Sequence, residues 1–426
     1  MIDSRHYAVG GYSPLGLMAC PSCDGVHRLT GLASGGKALC ARCGALLFRY
    51  LPKSLDRATA LYVAALVLFL LANMLPFLSL KLGGRIEQSR LISGSFEMYR
   101  AGMPEMGLLV LLTSVVFPFV TICGMIYVLL PLRLGISVPW TMPVWRVVRA
   151  ISPWSLMGVF MLGLLVSVLK LQEMAVIIPG FGFFAFIGLL LVSSAAAANF
   201  DPGTIWPRVG PDELKVPIGQ GCTAAESGYV SCPACLILMP GPTPGSSAGC
   251  PRCGSVVHGI RHAHSLSRSC AYLITASILL VPAYLLPVMT LIRFGQKENS
   301  TIFAGVLHLI QDGAWPLGLL VFFASILVPL TKITAMFFLL IMVHLRSDWR
   351  LRDRTVLYRL TEAVGAWSMV DIYLISILIA LLRMDELATI FPGAGATFFG
   401  AAVVMTMMAA HSFDPRLMWD RGIRYD

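Results

Sequence analysis

The sequence predicts a mostly α-helical, polytopic membrane protein, built as two tandem, parallel modules. In each module a small four-cysteine domain precedes four membrane-spanning helices. The composition predicts the membrane, because the chain of 426 residues is 57% hydrophobic and only 13% charged, whereas soluble chains carry about 25% charged residues. Eight apolar stretches are each long enough to cross a hydrocarbon core of about 30 Å as a helix. An internal repeat predicts the two modules.

Six of the eight apolar stretches contain no Asp, Glu, Lys or Arg. These six stretches are 58–80, 106–132, 151–169, 174–200, 269–292 and 387–413. The other two, at about 313–345 and 363–382, contain one charge each, Lys332 and Asp371.

The basic residues predict the orientation of the spans. The opening residues are polar and unlike a cleavable signal peptide, so we expect the first helix to start insertion and the N-terminus to stay in the cytosol. With eight spans, the C-terminus then lies in the cytosol too. The segments on that side carry 23 Lys and Arg, against 8 in the outer loops, which follows the positive-inside rule. No basic stripe is interleaved with aromatic residues, so a nucleic-acid partner is not expected.

The two halves align at an offset of 210 to 213 residues. Residues 102–125 align without a gap with 313–336, and Asn199–Pro202 aligns with Ser412–Pro415. Because each half has four spans, both halves enter and leave on the same side, and the repeats are parallel. The connection between them is rich in Pro and Gly, as is typical of a linker.

The predicted domains follow from this repeat. They are a first zinc-ribbon-like domain at 1–57, a first membrane module at 58–200, the linker at 201–231, a second ribbon at 232–264, a second membrane module at 265–413 and a tail at 414–426. After the first span of each module, 79–89 and 290–300 show partial alternation around a glycine. We expect both to be short β-hairpins at the outer surface.

Eight of the eleven cysteines form two Cys-x-x-Cys pairs in each half. They are Cys20, Cys23, Cys40 and Cys43, and Cys232, Cys235, Cys250 and Cys253. Two tight knuckles present four thiolates tetrahedrally, as zinc requires. Since all four positions are cysteine, two structural zinc ions are expected, one per ribbon. The reducing cytosol disfavours disulfides, while iron, or a metal-free redox-active cluster, stays an alternative.

Only the second module carries ionisable residues within its spans. Lys332 aligns with Thr121 of the first half, and Asp371 aligns with Gly158. A charge at the bilayer centre costs roughly 2.5–3.5 kcal/mol, so it predicts a function by default. The estimated depths of the two side chains allow them to meet.

Hydroxyl side chains surround this predicted pair. Ser325 lies two helical turns before Lys332, Ser368 lies one turn before Asp371, and Thr406 reaches a similar depth from the last span. The favoured interpretation is a protonatable switch, in which Asp371 loses its partner or its charge and the helices repack. The alternative is a static ion pair that fixes the register of the helices.

A second set of charges lies at the outer ends of the third and seventh spans, where we expect interfacial or partner contacts. The set comprises Lys170, Glu173, Arg383 and Glu386. The sequence contains no phosphate-binding loop and no nucleophile–base constellation, so an enzyme is not expected.

Together these features resemble the paraquat-inducible protein A family, most closely its LetA branch. The resemblance covers nearly the whole chain and includes the doubled Cys-x-x-Cys ribbons. It is also carried by LLPVM at 285–289, ASILVPLTKITAM at 324–336, WSMVDIY at 367–373 and FDPRLMWD at 413–420.

The resemblance implies a multi-pass inner-membrane protein of a double-membraned bacterium. Its implied partners are phospholipids and an MCE-domain protein that forms a hydrophobic tunnel across the periplasm. The implied function is to load or unload lipid at the base of that tunnel, with proton coupling as a hypothesis. The family's polar network carries over to Ser325, Lys332, Asp371 and Thr406. The alternatives are a membrane-bound redox or stress protein that uses the cysteine ribbons, and a passive scaffold for the tunnel.

Overall fold

The membrane-spanning class is confirmed by the structure. The computed structural model describes residues 17–28, 35–82, 85–136, 138–171, 176–202, 205, 222–243, 246–258, 265–293, 296–311, 313, 315–381, 383–384 and 388–420. Within them, eight helical stretches are long and apolar enough to cross a membrane. These stretches are Ser54–Met74, Pro104–Leu134, Thr141–Leu169, Phe181–Asn199, Ser265–Leu285, Gly318–His344, Leu351–Ala380 and Ala394–Ser412.

The helices of the two halves correspond one to one. The first half contains α1 (Ser54–Met74), α2 (Ser93–Arg100), α3 (Pro104–Leu111), α4 (Phe117–Leu134), α5 (Thr141–Ile151), α6 (Met157–Leu171) and α7 (Phe181–Asn199). The second half contains α8 (Ser265–Leu285), α9 (Ile302–Gln311), α10 (Trp315–Phe322), α11 (Val328–His344), α12 (Leu351–Gly365), α13 (Val370–Leu381) and α14 (Ala394–Ser412). In each half the first helix packs against the last, α1 on α7 and α8 on α14.

Both ribbons consist of two small hairpins. The first contains β1 (Leu17–Ala19), β2 (Val26–Arg28), β3 (Lys37–Leu39) and β4 (Leu46–Arg49). The second contains β8 (Tyr229–Ser231), β9 (Leu238–Pro240), β10 (Ser247–Gly249) and β11 (Val256–His258). Each Cys-x-x-Cys motif lies in the turn between two paired strands.

The predicted hairpins after the first spans are also confirmed, at the end of the bundle opposite the ribbons. The strands are β5 (Leu78–Leu82), β6 (Arg85–Ser89) and β7 (Val176–Pro179) in the first half, and β12 (Met289–Arg293), β13 (Gln296–Ser300), β14 (Arg383–Met384) and β15 (Ala388–Pro392) in the second. The sheet orders are β6-β5-β7 and β13-β12-β15-β14. The strands β7, β14 and β15, which precede the last span of each module, were not predicted from the sequence.

Those missed strands correct the ends of the predicted spans. The apolar run 58–80 continues past α1, which ends at Met74 because Pro76 disfavours helical backbone before it. The runs that open at 174 and 387 contain β7 and β15, and their helices begin only after the Pro-Gly pairs at 179–180 and 392–393. The third and seventh spans begin earlier than predicted, at α5 and α12.

A one-residue π-bulge interrupts the second span of each module, at Leu112–Val116 and Phe323–Leu327. Pro118 and Pro329 follow these bulges. Because proline has no N–H, it leaves the carbonyl four residues earlier without its α-helical donor, at Ser114 and Ser325. Both modules therefore have a proline at the equivalent position and a freed carbonyl inside the bulge.

The third spans of the two modules pack on each other, α6 against α13. Phe160 and Tyr373, which are equivalent in the repeat, meet there with ring centroids 5.3 Å apart. Tyr373 also donates a hydrogen bond from Oη to Thr113 Oγ1 at 2.7 Å. A pseudo-twofold axis thus passes between the modules.

The ribbons dock crosswise. The cysteines of the first ribbon belong to the same buried core as Leu351, Tyr358 and Trp419 of the second half. The cysteines of the second ribbon pack with Trp145 and Ile205 of the first half. Each ribbon therefore covers the membrane module that it does not precede.

Candidate functional site

The first ribbon gathers four sulfur atoms from two hairpin turns. The cysteines Cys20, Cys23, Cys40 and Cys43 are at most 2% exposed, and their Sγ atoms all lie within 4.8 Å of one another. The closest pairs across the two turns, Cys20–Cys43 and Cys23–Cys40, are each 3.5 Å apart. None of the four forms a disulfide.

The second ribbon repeats this geometry. Its cysteines Cys232, Cys235, Cys250 and Cys253 are at most 3% exposed, with Sγ distances of 3.6 Å and 3.5 Å across the turns. The buried thiols of this set share hydrogen bonds, which lower the pKa of Cys232 and raise that of Cys235. Hydrogen bonds from Cys20 and Cys23 likewise lower the pKa of Cys43. Both sets fit a soft divalent ion that binds four thiolates.

The predicted membrane residues lie on elements that pack against one another. The bulge that carries Ser325 and the 3₁₀ turn Ala366–Met369 that carries Ser368 are in contact, and α11 and α14 contact the same turn. The structure therefore brings the elements of all five predicted residues to one region of the second module.

Lys332 lies on α11 and is only 4% exposed. Its ammonium group lies against Gly365, where an added Cβ would come within 2.5 Å of Nζ. A residue with a side chain at 365 would displace the ammonium, so Gly365 is what makes room for the charge. Gly365 aligns with Ser152 of the first half, and this difference was the sequence signal for it.

Ser325 and Ser368 provide two buried hydroxyl groups. Both Oγ atoms lack a hydrogen-bond partner among the described residues. The carbonyl of Ser325, freed by Pro329, accepts a hydrogen bond from Tyr284 Oη at 3.0 Å. Thr406 differs, because its Oγ1 donates to the carbonyl oxygen of Val403 at 2.8 Å on its own helix.

Asp371 lies in the first turn of α13 and is 8% exposed. Six residues separate it from Gly365, or on the order of 10 Å along a helix that includes a 3₁₀ turn. The Lys332 ammonium and the Asp371 carboxylate thus mark the two ends of a polar region, with Ser368 between them. Tyr284, whose hydroxyl donates to the freed carbonyl of Ser325, was missed because an uncharged tyrosine in an apolar span does not stand out in the sequence.

Asp371 also lines a half-open cavity, whose empty space, together with the open space at its mouth, is about 550 Å³. Its walls are mostly apolar and come from α6, α9, α10, α13 and the hairpin sheet. The lining residues are Val166, Val288, Met289, Ser300, Thr301, Ile302, Gly305, Leu309, Val321, Asp371, Leu374 and Ile375.

The first module has a smaller cavity at the equivalent place, of about 290 Å³. There α2 packs closely on α13, and a Cβ on Gly94 would meet Ser376 Oγ at 2.5 Å. In the second module a Cβ on the equivalent Gly305 would meet nothing within 4 Å. The larger cavity is therefore the one that contains the carboxylate.

Two of the four predicted outer charges belong to the described residues. Glu173 and Glu386 lie outside the described residues. Lys170 and Arg383 are placed at the end of α6 and in β14, and their role as interfacial or partner contacts stays a prediction.

Comparison with known families matches the two membrane modules and neither ribbon. The family model described as "Paraquat-inducible protein A" matches residues 55–210 and again residues 266–422. Each membrane module thus matches the family once.

Three relatives match along almost their whole length. "Intermembrane transport protein PqiA" of Escherichia coli (strain K12) is 33% identical over 94% of this chain and 95% of its own. "Lipophilic envelope-spanning tunnel protein A" of the same organism is 30% identical over 97% and 93%. "Probable intermembrane transport protein" of Haemophilus influenzae is 27% identical over 95% and 96%. No solved structure matches this chain.

Proposed function

This chain belongs to the paraquat-inducible protein A family, and we propose that it loads or unloads lipid at the base of a periplasm-spanning tunnel. The tunnel would be formed by an MCE-domain partner. Relatives named for intermembrane transport and for an envelope-spanning tunnel support this proposal. We place the protein in the bacterial inner membrane, with both termini in the cytosol, on the distribution of its basic residues. It acts in this proposal as a transport subunit and not as an enzyme.

The observation that carries the proposal is the cavity beside Asp371. The cavity is a recess in the second module, and its empty space of about 550 Å³ includes the open space at its mouth. Its apolar walls suit an acyl chain, since burial of apolar surface is favourable. Its hairpin end, at Met289 and Ser300, is where the proposed periplasmic partner would receive the lipid.

In this proposal the protonation state of Asp371 controls whether the cavity binds an acyl chain. A negative charge beside an apolar cavity is costly to bury, whereas the protonated carboxyl is not. Proton uptake would therefore favour an acyl chain against this wall, and proton release would favour its departure. Ser325, Ser368, Thr406 and Lys332 form the polar surroundings that hold the charge between these steps.

The two ribbons would each hold a structural zinc ion in this proposal. Four buried thiolates per ion fill the tetrahedral coordination sphere and leave no open position for a substrate. A redox or stress-response role for the same thiols is the competing function. Zinc that stays bound, with no loss of thiols under oxidant, would argue against it.

The test uses the full-length protein with its MCE-domain partner in proteoliposomes that contain a photoreactive phospholipid. We expect lipid adducts on α9 and α13 in the wild type. In Gly305→Trp, which fills the cavity, both the adducts and lipid transfer to the partner should fall at least about tenfold. A passive scaffold would give neither adducts in the cavity nor a loss of transfer, and that outcome would overturn the proposal.

A further inference from the structure

The first metal centre has a neighbour outside its own domain. Arg359, on α12 of the second membrane module, donates from Nη2 to Cys43 Sγ at 3.4 Å. The two residues are 316 positions apart in the chain. One of the four sulfur atoms that would bind the ion is therefore also held by a cation from a membrane module.

Such a donor matters because the centre is buried and negative. Four thiolates and one divalent ion leave a net charge of about −2, and burial makes that charge costly. Hydrogen bonds to the ligand sulfurs spread the charge. His27 Nε2 lies 3.1 Å from Cys40 Sγ, and Arg359 provides a full positive charge.

The surrounding contacts show that Arg359 sits in a formed interface. Asp24 of the first ribbon, only 3% exposed at its side chain, lies 3.8 Å from Arg416. The guanidinium of Arg42 stacks 4.6 Å from the ring centroid of Trp419. These contacts join the ribbon to the segment after α14, and Trp419 Nε1 in turn donates to Thr355 Oγ1 of α12 at 3.0 Å.

The repeat supplies a counterpart with a different contact. Arg146 on α5 is equivalent to Arg359, and it docks on the second ribbon. However, Arg146 donates from Nη1 to the carbonyl oxygen of Gly254 at 3.2 Å. The docking contact is thus present in both halves, and the contact to a ligand sulfur belongs to Arg359.

We propose that the first metal centre is completed by the second membrane module, with Arg359 as the positioning residue that links the two. Metal binding and the docking of α12 then stabilise each other, because linkage between two binding events is reciprocal. The inference rests on the metal site and not on lipid transport.

The linkage reaches the membrane through α12 itself. Gly365, against which the Lys332 ammonium lies, follows Arg359 by six residues on the same helix. Loss of the ion would free the part of α12 that contacts the ribbon. The other end of the same helix packs against the buried Lys332.

Metal release tests the proposal directly. Full-length protein loaded with zinc is mixed with a chromogenic chelator, and the two release rates are measured. Arg359→Ala should release one ion about 10–100-fold faster, the usual effect of losing a partner of a metal ligand, and the other at the wild-type rate. Arg359→Lys, which keeps the charge, should restore most of the difference.

Two matched variants make the result specific. Arg146→Ala removes the equivalent docking contact, and Arg350→Ala removes an exposed arginine just before α12; both should leave both release rates within about twofold. If Arg359→Ala releases both ions at the wild-type rates, or if Arg146→Ala accelerates release equally, the proposal is overturned. Arg359→Gln serves the same test if the alanine variant does not fold.

A second measurement does not depend on release rates. Arg346 and Arg350 are exposed in the loop before α12, so trypsin cleavage there reports on the release of that helix. Chelator treatment should speed cleavage of the wild type and of Cys253→Ser, which lacks the second centre. Arg359→Ala should already be cleaved fast. Equal cleavage of metal-loaded and metal-free wild type would contradict the linkage.

Discussion

The two membrane modules share one backbone plan but not one chemistry. Both contain a π-bulge, a 3₁₀ turn in the third span and a hairpin sheet. Where the second module buries Lys332 and Asp371, the first has Thr121 and Gly158 at the equivalent positions. The fold therefore does not need the two buried charges to set the register of its helices. That difference favours the switch over the static pair.

The second difference lies at the hairpin end. The pair formed by α2 and α13 is closed around Gly94, whereas the space beside Gly305 is open. One molecule thus displays a closed and an open version of the same arrangement. Four experiments test these two differences between the modules.

The largest effect is expected from the buried charges. Asp371→Asn and Lys332→Met should each reduce lipid transfer in proteoliposomes at least about tenfold, since a positioned proton-transfer group is worth about 10²–10⁴-fold. Thr121→Val and Gly158→Ala, the equivalent changes in the first module, should stay within about twofold. Full activity of Asp371→Asn, at normal levels of folded protein, would leave only the static pair.

Metal removal should affect the modules crosswise. Cys20→Ser should speed hydrogen exchange in α12, and Cys232→Ser should speed it in α5, each at least about tenfold, or about 1.4 kcal/mol. The reason is that each ribbon packs on the module it does not precede. Exchange by mass spectrometry on the full-length protein measures this. Faster exchange in the adjoining module alone would refute the crosswise coupling.

The two equivalent glycines should respond with opposite signs. Gly94→Ala should lower the free energy of unfolding by about 1–3 kcal/mol, because its Cβ meets Ser376. Gly305→Ala should raise it by about 0.5–1 kcal/mol, because the space is open and alanine favours the helix. Unfolding in mixed micelles gives both values. A loss of equal size in both variants would mean that the second cavity is closed in solution.

The smallest effect is expected from Tyr284→Phe, which removes the hydrogen bond to the freed carbonyl of Ser325. The expected cost is about 0.5–1.5 kcal/mol. Asn73→Ala should cost less, because Asn73 donates to Phe69 on its own helix. The same unfolding assay compares them, and equal costs would remove Tyr284 from the polar region.

The sequence predicted most of what depends on local pattern. Apolar length gave all eight spans, and Cys-x-x-Cys spacing gave both sulfur clusters, because each signal is contained within a few tens of residues. The strands β7 and β15 were missed because an apolar strand that continues into an apolar helix has no change of composition to mark it. Only the Pro-Gly pairs marked those boundaries.

Features that depend on long-range packing could not be predicted. The crosswise docking joins Cys43 to Arg359, 316 residues apart, and Arg146 to Gly254, 108 residues apart, and no local pattern records which module a ribbon covers. Gly365 and Tyr284 were assigned to the candidate site only from the structure, which shows their contacts with Lys332 and Ser325. In contrast, Pro329 is a local signal, because a proline leaves the carbonyl four residues earlier without its helical donor.

The crosswise docking of the first ribbon also sets the order of events during synthesis. Its cysteines are made first, but Arg359 follows Cys43 by 316 residues, or about 15–60 s at bacterial elongation rates. Until the seventh span has been inserted, the ribbon has no surface to dock on. The ribbon therefore remains undocked through most of translation. It docks only in a chain whose last spans are being inserted.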